Sequence, residues 1–170
     1  MIPEKIRALF DFVEYLNRNK RDYIEKFIPL CKELSILDGR RVELKPSNNY
    51  NDKQLYDKIQ NEIREKFEPI QTNVYIPTLT KLRELKIWSG EDTYVSIWNN
   101  NISEITEFNR DFSSEDISTV MYYKQMYINF RTETNTDFLC LSLVLNDIDE
   151  ILKVLFDFFK DSNENEFESF

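Results

Sequence analysis

Apolar residues recur at steps of three and four along most of the chain. Ile6, Leu9, Val13 and Leu16 form one such run, and Tyr23, Phe27, Leu30, Leu34 and Leu37 resume it after Lys20. That spacing keeps side chains on one face of a 3.6-residue turn, so it predicts amphipathic helices. Pro3 stands where a first turn tolerates a missing N–H. Pro29 predicts a kink or break near residues 25–28, because its ring strikes the carbonyl four residues back and it has no N–H to donate. Asp38-Gly39 predicts the end of that segment.

The stretch "RRVELKPSNNY" reads as a link, with a short extended piece at Val42–Leu44. Asn51 is the expected cap of a helix carrying Leu55, Ile59, Ile63 and Phe67, and Pro69 its expected stop. "IQTNVYIP" fits either an extended segment or a helix. Pro77 is expected to open a short helix with Leu79, Leu82 and Leu85, closed by Gly90 in the left-handed conformation. A further helix is expected from Glu91 or Asp92, with Tyr94, Trp98, Ile102, Ile105, Phe108 and Phe112 on its apolar face. Trp88 and Trp98 would then meet in the corner that Gly90 makes, as core residues or, alternatively, as anchors for a partner.

"SSED" at 113–116 has the pattern of a capping box, with Ser113 as cap and Asp116 reaching back. Ile117, Val120, Met121, Lys124 and Ile128 are the stripe read for the helix that follows. The last segment repeats best: Phe138, Leu141, Leu145, Ile148, Leu152, Leu155 and Phe159. The competing expectation there is a small hairpin around residues 126–145, from "YINF" and "DFLCLSLVL" about a turn, with Asn146 capping a shorter helix.

Composition sharpens the fold class. The 170 residues contain only two glycines, and tight β-turns draw heavily on glycine for positive φ. The expectation is a mainly α, single-domain antiparallel bundle of five or six helices. Residues 1–161 form the helical domain, and residues 162–170 an acidic tail expected to be disordered. Cys31 and Cys140 lie in apolar segments and read as small core residues in a reducing compartment. The start of the chain lacks the basic-then-apolar pattern of a leader, and no apolar run approaches the ~20 residues of a membrane helix. A cytoplasmic location without membrane contact is the expectation.

The chain has no histidine, which removes Ser-His-Asp and Cys-His catalysis and His-based zinc sites. Glycines at 39 and 90 alone exclude a glycine-rich phosphate loop or a dinucleotide fingerprint. No catalytic residue, metal or cofactor is therefore expected. Charge is the remaining signal: residues 1–90 hold 17 Lys and Arg against 14 Asp and Glu, residues 91–170 hold 5 against 17, for nets of +3 and −12. An acidic surface repels phosphate backbones and attracts basic proteins. The first expectation is thus a non-enzymatic binding module, immunity- or inhibitor-like, that meets a basic protein partner through Glu104, Glu107, Asp147, Asp149 and Glu150, with Trp88 and Trp98 as possible anchors. The second is a small helical subunit of a defence-type, nucleic-acid-handling complex, touching phosphate through Arg18, Lys20, Arg21, Arg40 and Arg41. The third is a carboxylate-metal enzyme built from the i, i+3 pairs Glu104/Glu107 and Asp147/Glu150.

Overall fold

The computed structural model describes residues 2–88, 113–134 and 142–162. These residues are mainly helical, with no strand among them, and they form four continuous helical stretches. The first stretch joins α1 (Glu4–Asp22) to α2 (Ile28–Leu44) through a π-helical turn, Tyr23–Phe27. The second joins α3 (Tyr50–Ile70) to α4 (Ile76–Glu84) through another, Gln71–Tyr75. α5 spans Ser114–Thr134 and α6 spans Ser142–Ser162.

The break expected near Pro29 is a widened turn instead. The Ile28 N–H bonds to the carbonyl of Tyr23, five residues back, and the Ile76 N–H bonds to Gln71 in the same way. Each π turn is followed at once by Ile-Pro, at Pro29 and at Pro77. The wider turn accommodates the proline ring and the lost donor without ending the helix. Pro69 likewise lies inside α3 rather than stopping it, and "IQTNVYIP" is helical throughout. Gly39 and Val42–Leu44 also continue α2, so the link shrinks to Lys45–Asn49.

The α3 cap is Asn49, two residues before the expected Asn51: its Oδ1 accepts from the backbone N–H of Asn51 at 2.8 Å and of Asp52 at 3.4 Å. The capping box at α5 is present as read. The Asp116 N–H donates to Ser113 Oγ at 3.2 Å, and the Ser113 N–H donates to Asp116 Oδ2 at 3.1 Å. Burial opposes ionisation of Asp116, but the hydrogen bonds from Ser113 help hold its carboxyl below the usual carboxylate range.

The α4 terminus departs most from expectation. The helix ends at Glu84, and the left-handed residue is Lys86, with φ of 60°. The Lys86 N–H bonds to Arg83 O and the Ile87 N–H to Leu82 O, both at 3.0 Å, which is the Schellman arrangement. Its apolar clasp is present too, since Leu82 and Ile87 are both buried. A lysine occupies the place glycine would favour, and Gly90 falls outside the described residues. Lys86→Gly should relieve about 1–2 kcal/mol of left-handed strain against the ~0.5–1 kcal/mol of extra chain entropy that glycine loses. The expected result is a gain of up to about 1.5 kcal/mol in urea unfolding, where a loss would contradict a strained cap.

The core draws on all four stretches. α2 and α3 pack on each other as a hairpin, α1 packs on α5, and α5 on α6. Ile6, Phe12, Val13 and Leu16 of α1 are fully buried with Ile70, Val74, Leu82, Val120, Phe130, Ile148, Ile151 and Leu155. Cys31 is part of this core, whereas Cys140 lies outside the described residues. On α6 the stripe at Leu145, Ile148, Leu152 and Leu155 faces inward as expected. The hairpin alternative does not hold where it is described, because residues 126–134 and 142–145 are helical.

Candidate functional site

The first half of α5 turns inward as its aliphatic residues suggest, with Ile117, Val120 and Met121 in or against the core, but beyond Met121 the inward face departs from the expected stripe. Val120, Tyr127, Phe130 and Thr134 are buried, while Ile128 is 43% exposed and Lys124 half-buried. Tyrosines carry the missing part of the stripe: Tyr123 stacks on Phe10 of α1, with centroids 4.5 Å apart, and its hydroxyl donates to Glu14 Oε1 at 2.7 Å. Burial, then the hydrogen bond to Glu14 and its charge, push the Tyr123 phenol up to about 12.

One turn further on, α5 and α6 share a polar network. The Tyr127 hydroxyl donates to Asp149 Oδ1 at 2.5 Å and lies 3.3 Å from the Leu145 carbonyl. Arg131 Nη2 donates to Asp149 Oδ2 at 3.3 Å. Asp149 thus holds a buried phenol and a half-buried guanidinium at once. Burial, then the Asp149 charge, raise the Tyr127 phenol well above its ordinary value.

This network floors one side of an open groove of ≈ 410 Å³ between α5 and α6. Lys124, Arg131 and Lys153 bring positive charge to it, Asp149 and Asp157 negative charge, and Ile128 and Phe156 apolar surface. Lys124 Nζ sits 5.4 Å from the centre of the Phe156 ring, a cation–π geometry.

Asp147 and Glu150 of α6 form a separate feature. Asp147 is half-buried and Glu150 exposed, and neither forms an ion pair among the described residues. Burial, then the charge of Glu150, raise the Asp147 carboxyl above the usual range.

The remaining candidate residues are dispersed. Asp149 serves the inter-helix network rather than an open acidic face. Trp88 is buried, with the Arg83 guanidinium carbon 5.1 Å from its ring centre, so it takes the core role and not that of an exposed anchor. Glu104, Glu107 and Trp98 lie outside the described residues. The basic cluster is largely neutralised: Lys20 pairs with Glu133 at 2.9 Å, Arg21 with Glu25 at 2.9 Å, and Arg41 with Asp38. Arg18 and Arg40 are exposed without an ion pair among the described residues.

No protein-family model, curated protein or solved structure matches the chain. Among the described residues, no three His, Cys, Asp or Glu side chains are placed to hold a metal ion, and no helix is long and apolar enough to cross a membrane. The groove is what sequence reasoning missed. Lys124, Ile128 and Arg131 recur at helical spacing, but a stripe read from aliphatic residues turns that face inward.

Proposed function

We propose that the chain is a cytoplasmic, non-enzymatic protein-binding module, immunity- or inhibitor-like, whose acidic back half receives a basic protein. The five-or-six-helix bundle belongs to the same reading, with the additional helix across residues 91–112. The observation that carries it is the contrast between two charge clusters. Asp147 and Glu150 form no ion pair among the described residues, in a half with net charge −12, whereas Lys20, Arg21 and Arg41 are already paired with acids of this chain. Burial, then the charge of Glu150, disfavours the ionised Asp147, and a cationic side chain from a partner would favour it, so the acidic edge gains from association. The basic cluster gains less, because an incoming phosphate would have to displace its carboxylates.

The test is capture of a basic protein by the full chain, followed by association kinetics across salt. Exposed charges are screened within about 8 Å at physiological ionic strength, so association should slow as salt rises while dissociation changes less. Charge reversal at Asp147 and Glu150, with Glu104 and Glu107 reversed in a second variant, should slow association at least ~10-fold at low salt. If nucleic acid is captured instead, and Arg18 and Arg40 carry the salt dependence, the phosphate-contacting subunit reading replaces this one.

A further inference from the structure

Residues 91–170 contain five Lys and Arg among 17 acids, and three of the five, Lys124, Arg131 and Lys153, line the groove between α5 and α6. In so acidic a segment a cation finds its lowest energy beside a carboxylate. Yet neither Lys124 nor Lys153 forms an ion pair among the described residues. Lys124 lies over the Phe156 ring instead. Arg131 donates through Nη2 to Asp149, and a guanidinium has five N–H donors in a planar fork. Asp149 is thereby placed to orient the fork rather than to neutralise the groove, because it also accepts the Tyr127 hydroxyl. Asp157 is the other acid of the lining, which leaves three cations facing two acids inside a half of net −12. The apolar surface is equally specific: Phe156 offers a ring, and Ile128 stands 43% exposed beside it.

We propose that this groove binds a small organic oxyanion, a carboxylate or phosphate monoester carried on a flat apolar body. The oxyanion meets Lys124, Lys153 and the free edge of Arg131, for which a two-oxygen anion is the matching shape. The flat body lies against Phe156 and Ile128. The groove volume of ≈ 410 Å³ falls within the range of small-molecule sites, about 300–1,000 Å³. This site is distinct from the acidic edge at Asp147 and Glu150 and does not depend on the protein-binding reading.

Calorimetric titration of the full chain with phenyl phosphate, benzoate, inorganic phosphate and benzyl alcohol tests it. Phenyl phosphate, benzoate or both should bind saturably with Kd below about 1 mM, and the tighter of the two identifies the headgroup. Inorganic phosphate lacks the apolar body and benzyl alcohol lacks the charge, so each should bind at least ~10-fold more weakly. The double variant Lys124→Gln, Lys153→Gln should lose at least ~10-fold in affinity with an unchanged urea midpoint. Methyl NMR of the wild type gives a readout that needs no variant: the Ile128 methyl resonances should shift on titration, with Ile36 on α2 as the unmoved control. The proposal is overturned if phenyl phosphate and benzoate show no saturable binding up to about 10 mM, if inorganic phosphate binds as tightly, or if Ile128 does not respond.

Discussion

Replacing Phe130 with alanine is expected to remove about 3–5 kcal/mol of stability, the cost of emptying a filled aromatic site. Phe130 has no solvent exposure, and it belongs to the core that the helical stretches share. Its ring lies edge-on to Tyr23 at 6.3 Å and tilted on Tyr127 at 6.4 Å. Both neighbours are pinned by their own packing, so collapse into the cavity would be incomplete. A domain of this size has about 5–15 kcal/mol in total, so the variant should unfold at a much lower urea concentration. Ile128→Ala, two residues away and exposed, should change stability by no more than about 0.5 kcal/mol. Similar losses from the two variants would mean that the inward face of α5 is wrongly assigned.

The second large effect comes from the Tyr127–Asp149–Arg131 network. Asp149→Ala strands a buried phenol and a half-buried guanidinium together, and each stranded group costs about 1–3 kcal/mol. Tyr127→Phe should cost less, about 0.5–1.5 kcal/mol, because Asp149 keeps Arg131 and the hydroxyl leaves with the substitution. The pH dependence follows from the direction of the shifts. Tyr123 and Tyr127 both have folded pKa values above the ordinary 10, so the folded state holds their protons longer than the unfolded state does. Their stabilisation is complete below about pH 10 and is lost as pH rises through the folded values, which for Tyr123 is about 12. Each such group adds a slope of up to about 1.4 kcal/mol per pH unit in that window. Urea unfolding between pH 9 and 11 should therefore show a shallower alkaline decline in Tyr127→Phe than in the wild type. Parallel declines would mean that Tyr127 ionises as freely folded as unfolded.

The helical class and several of its details were legible from residue spacing. The stripe positions Leu145, Ile148, Leu152 and Leu155 of α6 and the Ser113–Asp116 box appear in the structure as read, because each depends on residues close in sequence, while Phe138, Leu141 and the Phe159 side chain lie outside the described residues. Reading failed where a local rule was overridden by context. Pro29 is expected to kink or break its helix, Pro69 to stop one and Pro77 to open one, but the π turns carry the backbone past Pro29 and Pro77, and Pro69 sits within α3. The α4 terminator was sought at glycine, while the fold imposes the left-handed conformation on Lys86, where Leu82 and Ile87 close over each other. Tyr127 and Asp149 are 22 residues apart, and no periodicity rule joins them. The groove was hidden for the same reason: its cations come from two helices whose pairing the spacing alone does not specify.

The paired π turns have a consequence for how this chain tolerates changes in length. A π turn holds one residue more than an α turn, so the helix beyond it is rotated by roughly 100° from the phase its first half would dictate. α1 faces α5 and α2 faces α3, with the extra residue of Tyr23–Phe27 between the two partners. Lys66 reaches Glu33 at 3.0 Å across the hairpin, and that register carried back along both helices brings Tyr23–Phe27 level with Gln71–Tyr75. The two rods therefore carry their extra residues at the same height. Losing one residue from Tyr23–Phe27 would leave α2 on α3 and turn α1 by roughly 100° away from α5. A length change at the root of the hairpin is thus registered not in the hairpin itself but at α5, far along the chain.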